Sequence, residues 1–199
     1  DVSPHPRQIL EDVFGYAAFR PGQEEVLSTI LGGEHVLVVM PTGAGKSLCF
    51  QIPALARDNL TIVVSPLVAL MEDQVAALKL AGVAAETINS SRPYDVNAAS
   101  WRRAAAGETR LLYISPERLM TDRMLAALQR LPIGLLVIDE AHCISRWGPS
   151  FRPEYEGLKR LGELFPDAGI AAFTATADEA TRADIADKLF AGEGRIFVA

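Results

Sequence analysis

The feature that most constrains this chain is a rhythm: short apolar runs, rich in β-branched residues and leucine, alternate with longer amphipathic stretches. The runs His35-to-Met40, Thr61-to-Ser65, Ala84-to-Ile88, Arg110-to-Ile114, Ile133-to-Ile138, Gly169-to-Phe173 and Arg195-to-Val198 have the length and composition of strands buried on both faces. The stretches between them read as helices with legible ends. Pro21 is expected at a first helical position, with Gly32-Gly33 as that helix's stop. Pro116 and Pro153 are expected to open two more helices after Ser115 and Arg152, and Gly82 and Gly107 to close others. Leu67, Leu70, Met71, Gln74, Val75 and Leu78 form a helical stripe expected to pack into the core. Strand, crossover helix and strand in this order give an α/β fold: a central, mostly parallel sheet of about seven strands with helices on both faces. At 199 residues the chain is expected to form a single domain.

Composition closes off several classes. Hydrophobic residues make up 49% and charged residues 22%, the proportions of an ordinary globular protein, which argues against disorder, collagen-like repeats and disulfide scaffolds. No stretch approaches the roughly 18 consecutive apolar residues of a membrane span, and Asp1-Val2-Ser3-Pro4-His5-Pro6 lacks the basic start and apolar run of a signal peptide. A cytoplasmic protein with no membrane partner is expected. The net charge of −6 argues against coating nucleic acid by bulk attraction, although it leaves room for a local groove. Between Trp101 and Arg130, arginines 102, 103, 110, 118, 123 and 130 face only Glu108, Glu117 and Asp122; a solvated helix face is the preferred reading of that surplus. Cys49 and Cys143 stand far apart without a CxxC spacing, and the histidines are scattered, so buried reduced thiols and no zinc are expected.

Chemistry concentrates in three blocks. Met40-Pro41-Thr42-Gly43-Ala44-Gly45-Lys46-Ser47 follows a buried strand directly and precedes a helix containing Leu48, Phe50 and Ile52. In such a loop, glycines let backbone N–H groups converge on an anion while the helix N-terminus adds its positive dipole end. Lys46 reaches the β- and γ-phosphates, and the Ser47 hydroxyl holds Mg²⁺. The strict phosphate-loop pattern asks for Gly where Met40 stands, so the assignment rests on Gly43-x-Gly45-Lys46-Ser47 and its strand-to-helix setting. The second block, Leu135-Leu136-Val137-Ile138-Asp139-Glu140-Ala141-His142, delivers two carboxylates at the C-terminal end of a strand, where open parallel sheets bind ligands. Asp139 is suited to the Mg²⁺ shell and Glu140 to orienting and deprotonating the water that attacks the γ-phosphate. The third block, Phe173-Thr174-Ala175-Thr176-Ala177, ends another apolar run. Its hydroxyls suit coupling, while Thr176-Ala177-Asp178-Glu179 also reads as a helix capping box.

In this order the three blocks resemble motifs I, II and III of superfamily 2 helicases, with Asp139-Glu140-Ala141-His142 as the motif II tetrad. Further segments resemble the RecQ family of DNA helicases. Phe14-Gly15-Tyr16-Ala17-Ala18-Phe19-Arg20-Pro21-Gly22-Gln23 looks like motif 0, whose tyrosine, arginine and glutamine contact the adenine end of ATP. That resemblance assigns Tyr16, Arg20 and Gln23 there; a Gln amide can also donate to and accept from one adenine edge. The stretch from Ser65 to Val75 resembles motif Ia, and Tyr113 to Leu119 resembles motif Ib. Most diagnostic is Cys143-Ile144-Ser145-Arg146-Trp147-Gly148-Pro149-Ser150-Phe151-Arg152-Pro153-Glu154-Tyr155, similar to the aromatic-rich loop that joins single-strand binding to ATP hydrolysis in RecQ enzymes. Independently of family, Trp147 and Phe151 offer stacking faces for bases, and Arg146 and Arg152 suit phosphates. The family usually has His-Asp where Pro149-Ser150 stand, so weaker coupling through this loop is expected.

The resemblance implies a RecA-like phosphate-loop domain over residues 1–199, the first lobe of a longer helicase. A second RecA-like lobe is its partner, and the zinc-binding and winged-helix regions are absent. It further implies Mg²⁺ and ATP as cofactors, DNA as single strands and duplex junctions as partner, 3′-to-5′ unwinding in repair and recombination, and poor hydrolysis by the lobe alone. The expected site divides by role. Lys46, Asp139, Glu140 and His142 are catalytic. Tyr16, Arg20, Gln23, Thr42, Gly43, Ala44, Gly45, Lys46 and Ser47 bind nucleotide. Ser65, Arg146, Trp147, Phe151, Arg152, Thr174 and Thr176 bind or couple DNA, and Ser47 and Asp139 hold metal. Two other classes stay open: a superfamily 2 enzyme that unwinds or remodels RNA, and a non-catalytic, nucleotide-dependent binding module.

Overall fold

The structure is a computed structural model and describes residues 4–41, 45–175 and 178–199. Each apolar run becomes a strand: β1 (Val36–Val39), β2 (Leu60–Val64), β3 (Ala85–Ile88), β4 (Leu111–Ile114), β5 (Ile133–Ile138), β6 (Gly169–Thr174) and β7 (Arg195–Val198). They form one sheet in the order β3-β4-β2-β5-β6-β1-β7, and every pairing is parallel. The pleat sends alternate residues to opposite faces, and both faces are covered except at the edge strand β7, which is largely exposed where burial was expected. Val36, Val38, Tyr113 and Val137 pack beneath α2 (Gln23–Leu31), α3 (Leu48–Ala56) and α4 (Val68–Leu80). Leu37, Ile62, Leu112, Leu136 and Ile138 pack on the other side against α6 (Pro116–Leu119), α7 (Asp122–Leu128), α9 (Glu179–Phe190) and two 3₁₀ segments, Ala141–Ile144 and Pro153–Arg160. The short α1 (Pro6–Asp12) buries Ile9 and Leu10 against Ile52 and Ala56 of α3. Two further helices among the described residues are α5 (Tyr94–Ala105) and α8 (Leu161–Leu164).

Helix ends depart from expectation in instructive ways. Pro21 lies outside α2, because Gly22, at φ 86° in the left-handed region, is the cap and the helix opens at Gln23. Pro153 opens a 3₁₀ segment rather than an α-helix. Asp178 caps α9, its carboxylate accepting from Thr181 N at 2.7 Å, so the cap falls two residues after Thr176. Pro116 does open α6, and Gly33, Gly82 and Gly107 adopt positive φ just past helix ends. In the stripe on α4, Met71, Val75 and Leu78 are buried, whereas Leu67 is exposed and Leu70 and Gln74 line a cavity. The arginine surplus is dispersed. Arg103 pairs with Glu86, and Arg110 donates to the carbonyls of Ala54, Leu55 and Arg57 that end α3.

Candidate active site

Sheet order builds the site. The phosphate loop leaves the carboxyl end of β1 and motif II leaves that of β5, with β6 between them, so three functional segments emerge side by side at one edge. Lys46 Nζ donates to Asp139 Oδ1 at 2.8 Å, with side chains only 14% and 3% exposed. The same Asp139 oxygen accepts from Glu140 N at 3.0 Å. Glu140 itself has φ 52° and ψ 42°, the left-handed conformation that costs a non-glycine residue about 1 kcal/mol or more and gathers at functional sites. That turn ends β5 abruptly and starts the 3₁₀ segment at Ala141. His142 then faces back, its Nδ1 sharing a 2.7 Å hydrogen bond with Thr174 Oγ1 and its Nε2 3.5 Å from Glu140 Oε2.

A cavity of about 660 Å³ opens from this point and is lined by Tyr16, Arg20, Gln23, Gly45, Lys46, Ser47 and Glu140, among others. Gln23 is buried and clamps two walls: its Oε1 accepts from Arg20 N at 2.7 Å, and its Nε2 donates to Gly45 O at 3.1 Å. Each amide atom keeps one further bonding position for a base edge. Gly45 has φ +78°, and a Cβ there would run into the Gln23 amide, so only glycine fits. Tyr16 is half exposed at the rim. Deeper in the wall, Gln51 Nε2 donates to Tyr113 Oη at 3.0 Å, and Tyr113 donates to Gln74 Oε1 at 2.7 Å, a buried polar triad that sequence reasoning did not single out. The set fits a magnesium nucleoside triphosphate. Among the described residues, the Lys46 cation, the Ser47 hydroxyl and Gly45 line the cavity, and the Asp139 carboxylate stands against Lys46.

Beyond motif II the chain closes a loop, as Arg152 N donates to Cys143 O at 3.0 Å. Trp147 stands 81% exposed at its tip, while Phe151 is half-buried under the Arg146 guanidinium, 5.4 Å from ring centroid to Cζ. Arg146 pairs with Glu156, and Arg152 lies 3.6 Å from Glu154. Tyr155, fully buried at the loop's far end, donates to the backbone carbonyl of Asp139 at 2.7 Å. No spacing rule marks that tyrosine, because its partner is a backbone atom. Of the other expected DNA residues, Ser65 is buried with its hydroxyl accepting from Leu67 N at 3.2 Å, and Thr174 is buried against His142. Thr42, Gly43, Ala44 and Thr176 lie outside the described residues. Burial pushes the Cys49 thiol up to about 12 and the Cys143 thiol up to about 11, so neither is a nucleophile near neutrality; both are free.

A parallel α/β sheet with a lysine-bearing phosphate loop and an Asp-Glu pair two strands away defines a RecA-like nucleotide-binding domain. The chain belongs to the DEAD/DEAH box helicase family, which it matches over residues 20–185. It is 50% identical over 182 residues to the ATP-dependent DNA helicase RecQ of Haemophilus influenzae, covering 92% of this chain and 29% of that protein. It is 42% identical over 185 residues to RecQ of Bacillus subtilis, covering 92% and 31%. The chain thus spans about 30% of the length of these relatives. Among solved structures, the DUF1998 helicase MrfA bound to DNA superposes with a TM-score of 0.76 at 17% identity, over 100% of this chain and 30% of that one. A hypothetical ATP-dependent RNA helicase from Sulfolobus tokodaii superposes with 0.75 at 20%, over 98% and 56%. At those identities the likeness is one of fold.

Proposed function

We propose that this chain is the first motor lobe of a RecQ-type ATP-dependent DNA helicase, which binds Mg²⁺-ATP and single-stranded DNA and couples hydrolysis to 3′-to-5′ unwinding in DNA repair and recombination. The observation that carries the reading is the Lys46–Asp139 pair beside Glu140, which lines the cavity with Lys46, joined to an aromatic loop that resembles the one in RecQ enzymes. Lys46 exchanges Asp139 for the β- and γ-phosphates. Asp139, so freed, and Ser47 would hold the metal, which would supply charge that offsets the negative phosphates. Glu140 orients the attacking water and accepts its proton. Tyr16, Arg20 and Gln23 form the adenine end, and Trp147, Phe151 and Arg152 receive the strand. Because the chain matches about 30% of its RecQ relatives, we place the arginine that would complete the phosphate site in a second lobe; such arginines are worth about 10³–10⁵ in rate.

The test compares this chain with the longer protein in DNA-stimulated ATP hydrolysis. Lys46→Ala is expected to weaken binding of a fluorescent ATP analogue about tenfold to a hundredfold, the worth of a charge-assisted contact of about 1.5–3 kcal/mol. Glu140→Gln leaves that binding intact and stops turnover. Trp147→Ala in the longer protein lowers DNA stimulation far more than basal hydrolysis. Stimulation by RNA in place of DNA would transfer the reading to an RNA-remodelling enzyme, and nucleotide binding without turnover in the longer protein would make it a binding module.

A further inference from the structure

Arg146 and Glu156 lie on either side of the exposed loop, and their side chains meet edge to edge. Arg146 Nε donates to Glu156 Oε1 at 3.1 Å, and Nη2 donates to both carboxylate oxygens at 2.7 Å. The guanidinium also rests against the Phe151 ring, one of the two faces offered to bases. Both partners are open to solvent, at 63% and 38%, and exposed pairs of this kind add little to stability. Its geometry is informative instead, because a fork of N–H donors on one planar anion is how a guanidinium grips a phosphate. The Arg146 hydrogen bond comes first, and the nearby charges of Arg146, Lys159 and Lys188 add to it; together they hold the Glu156 carboxyl below the usual carboxylate range. If the guanidinium swings away, the carboxylate is open to solvent, so the exchange leaves no stranded charge.

We propose that Arg146 and Glu156 form a carboxylate-gated phosphate subsite, in which Glu156 occupies in the free protein the place that a phosphodiester of single-stranded DNA takes on Arg146. Glu156 is then a positioning residue: it presents Arg146 over Phe151 and sets the threshold at which the loop takes hold of a strand. The inference rests on the DNA reading above. The closed pair carries no net charge, so a phosphate landing on Arg146 displaces a carboxylate rather than meeting an unopposed cation. A neutral side chain at position 156 removes the competitor and leaves one more cation for the strand.

The experiment titrates a fluorescein-labelled oligothymidylate with the chain at several salt concentrations, using wild type, Glu156→Gln, Arg146→Ala, the double variant, and Glu163→Gln as a control for net charge at an exposed site on α8. Glu156→Gln is expected to tighten binding about threefold to tenfold at low salt and to steepen the slope of log affinity against log salt by about 0.7, the increment for one phosphate contact on a single strand. Both gains vanish when Arg146→Ala is added, and Glu163→Gln reproduces neither. A purely structural role would not move the salt slope. An unchanged affinity and slope in Glu156→Gln, or gains that survive Arg146→Ala, would overturn the gating. Absence of oligothymidylate binding by wild type and Glu156→Gln alike would overturn the DNA reading itself.

Discussion

Lys46 and Asp139 are each other's partner, and under the proposed function a nucleotide would separate them, which makes their stability contribution conditional. The pair is nearly sealed from solvent, so deleting the cation alone leaves the Asp139 carboxylate supported by Glu140 N and little else. Lys46→Met is therefore expected to destabilise the nucleotide-free chain by about 1–3 kcal/mol, the cost of a buried group that loses its partner. Adding Asp139→Asn, which removes the stranded charge, recovers most of that loss. Urea unfolding at neutral pH measures both, and a single variant as stable as wild type would show that the pair is held open by water. The motif spacing made both residues legible as site members. Their direct bond was not legible, because it depends on β1 and β5 lying two places apart in the sheet, and β6, the strand that separates them, comes later in the chain.

At the scale of elements, the edge strand β3 is fastened to α5 by a charge that burial alone would expel. Burial raises the Glu86 carboxyl's affinity for a proton, yet hydrogen bonds from Arg103 and Ser100 overcome it and hold the group below its usual range. A carboxyl lowered in the folded state stabilises the fold above its unfolded-state value, and that contribution is lost as pH falls through the folded value. Glu86→Gln is expected to cost about 1 kcal/mol at pH 7, a figure reduced for the half-exposed guanidinium, and the difference should shrink as pH falls through the lowered folded value. Thermal melts across that range would reveal it, and a pH-independent difference would assign the effect to packing. Elements were readable where one residue type decides them locally. Apolar runs located β1 to β6 because burial on both faces tolerates little else, and β7 was found by its run although it lies largely exposed at the sheet edge rather than buried as expected. Pro21 misled because the left-handed Gly22 next to it delays the helix, and Pro153 because 3₁₀ geometry accepts the same first residue. The Arg146–Glu156 pair was invisible, since a loop must fold back before the two side chains meet.

Across the whole molecule, the cavity lies on the α2–α4 side of the sheet and the aromatic loop packs on the α9 side, and motif II at the end of β5 joins the two. The covalent route from Glu140 to Cys143 is short. Three contacts run beside it: Tyr155 Oη to the Asp139 carbonyl, His142 to Thr174, and Lys188 Nζ to the Ile144 carbonyl at 3.3 Å. Under the proposed function, a displacement of the loop by a stacked base, worth about 1–3 kcal/mol, would reach the backbone of Asp139 through Tyr155. Coupling between two sites is reciprocal: if oligothymidylate tightens binding of a magnesium-bound ATP analogue by some factor, the analogue tightens oligothymidylate by the same factor, and about fivefold corresponds to about 1 kcal/mol. Tyr155→Phe removes the strut while keeping the ring that fills the core. It is expected to lower stability by about 1–3 kcal/mol through the unpartnered Asp139 carbonyl, to leave each ligand's separate affinity within about twofold, and to bring the coupling factor close to one. Titrating each ligand in the presence and absence of the other measures that factor from both sides. A coupling factor that Tyr155→Phe leaves at its wild-type value would assign the transmission to the covalent segment Glu140–Cys143 and reduce Tyr155 to a core side chain.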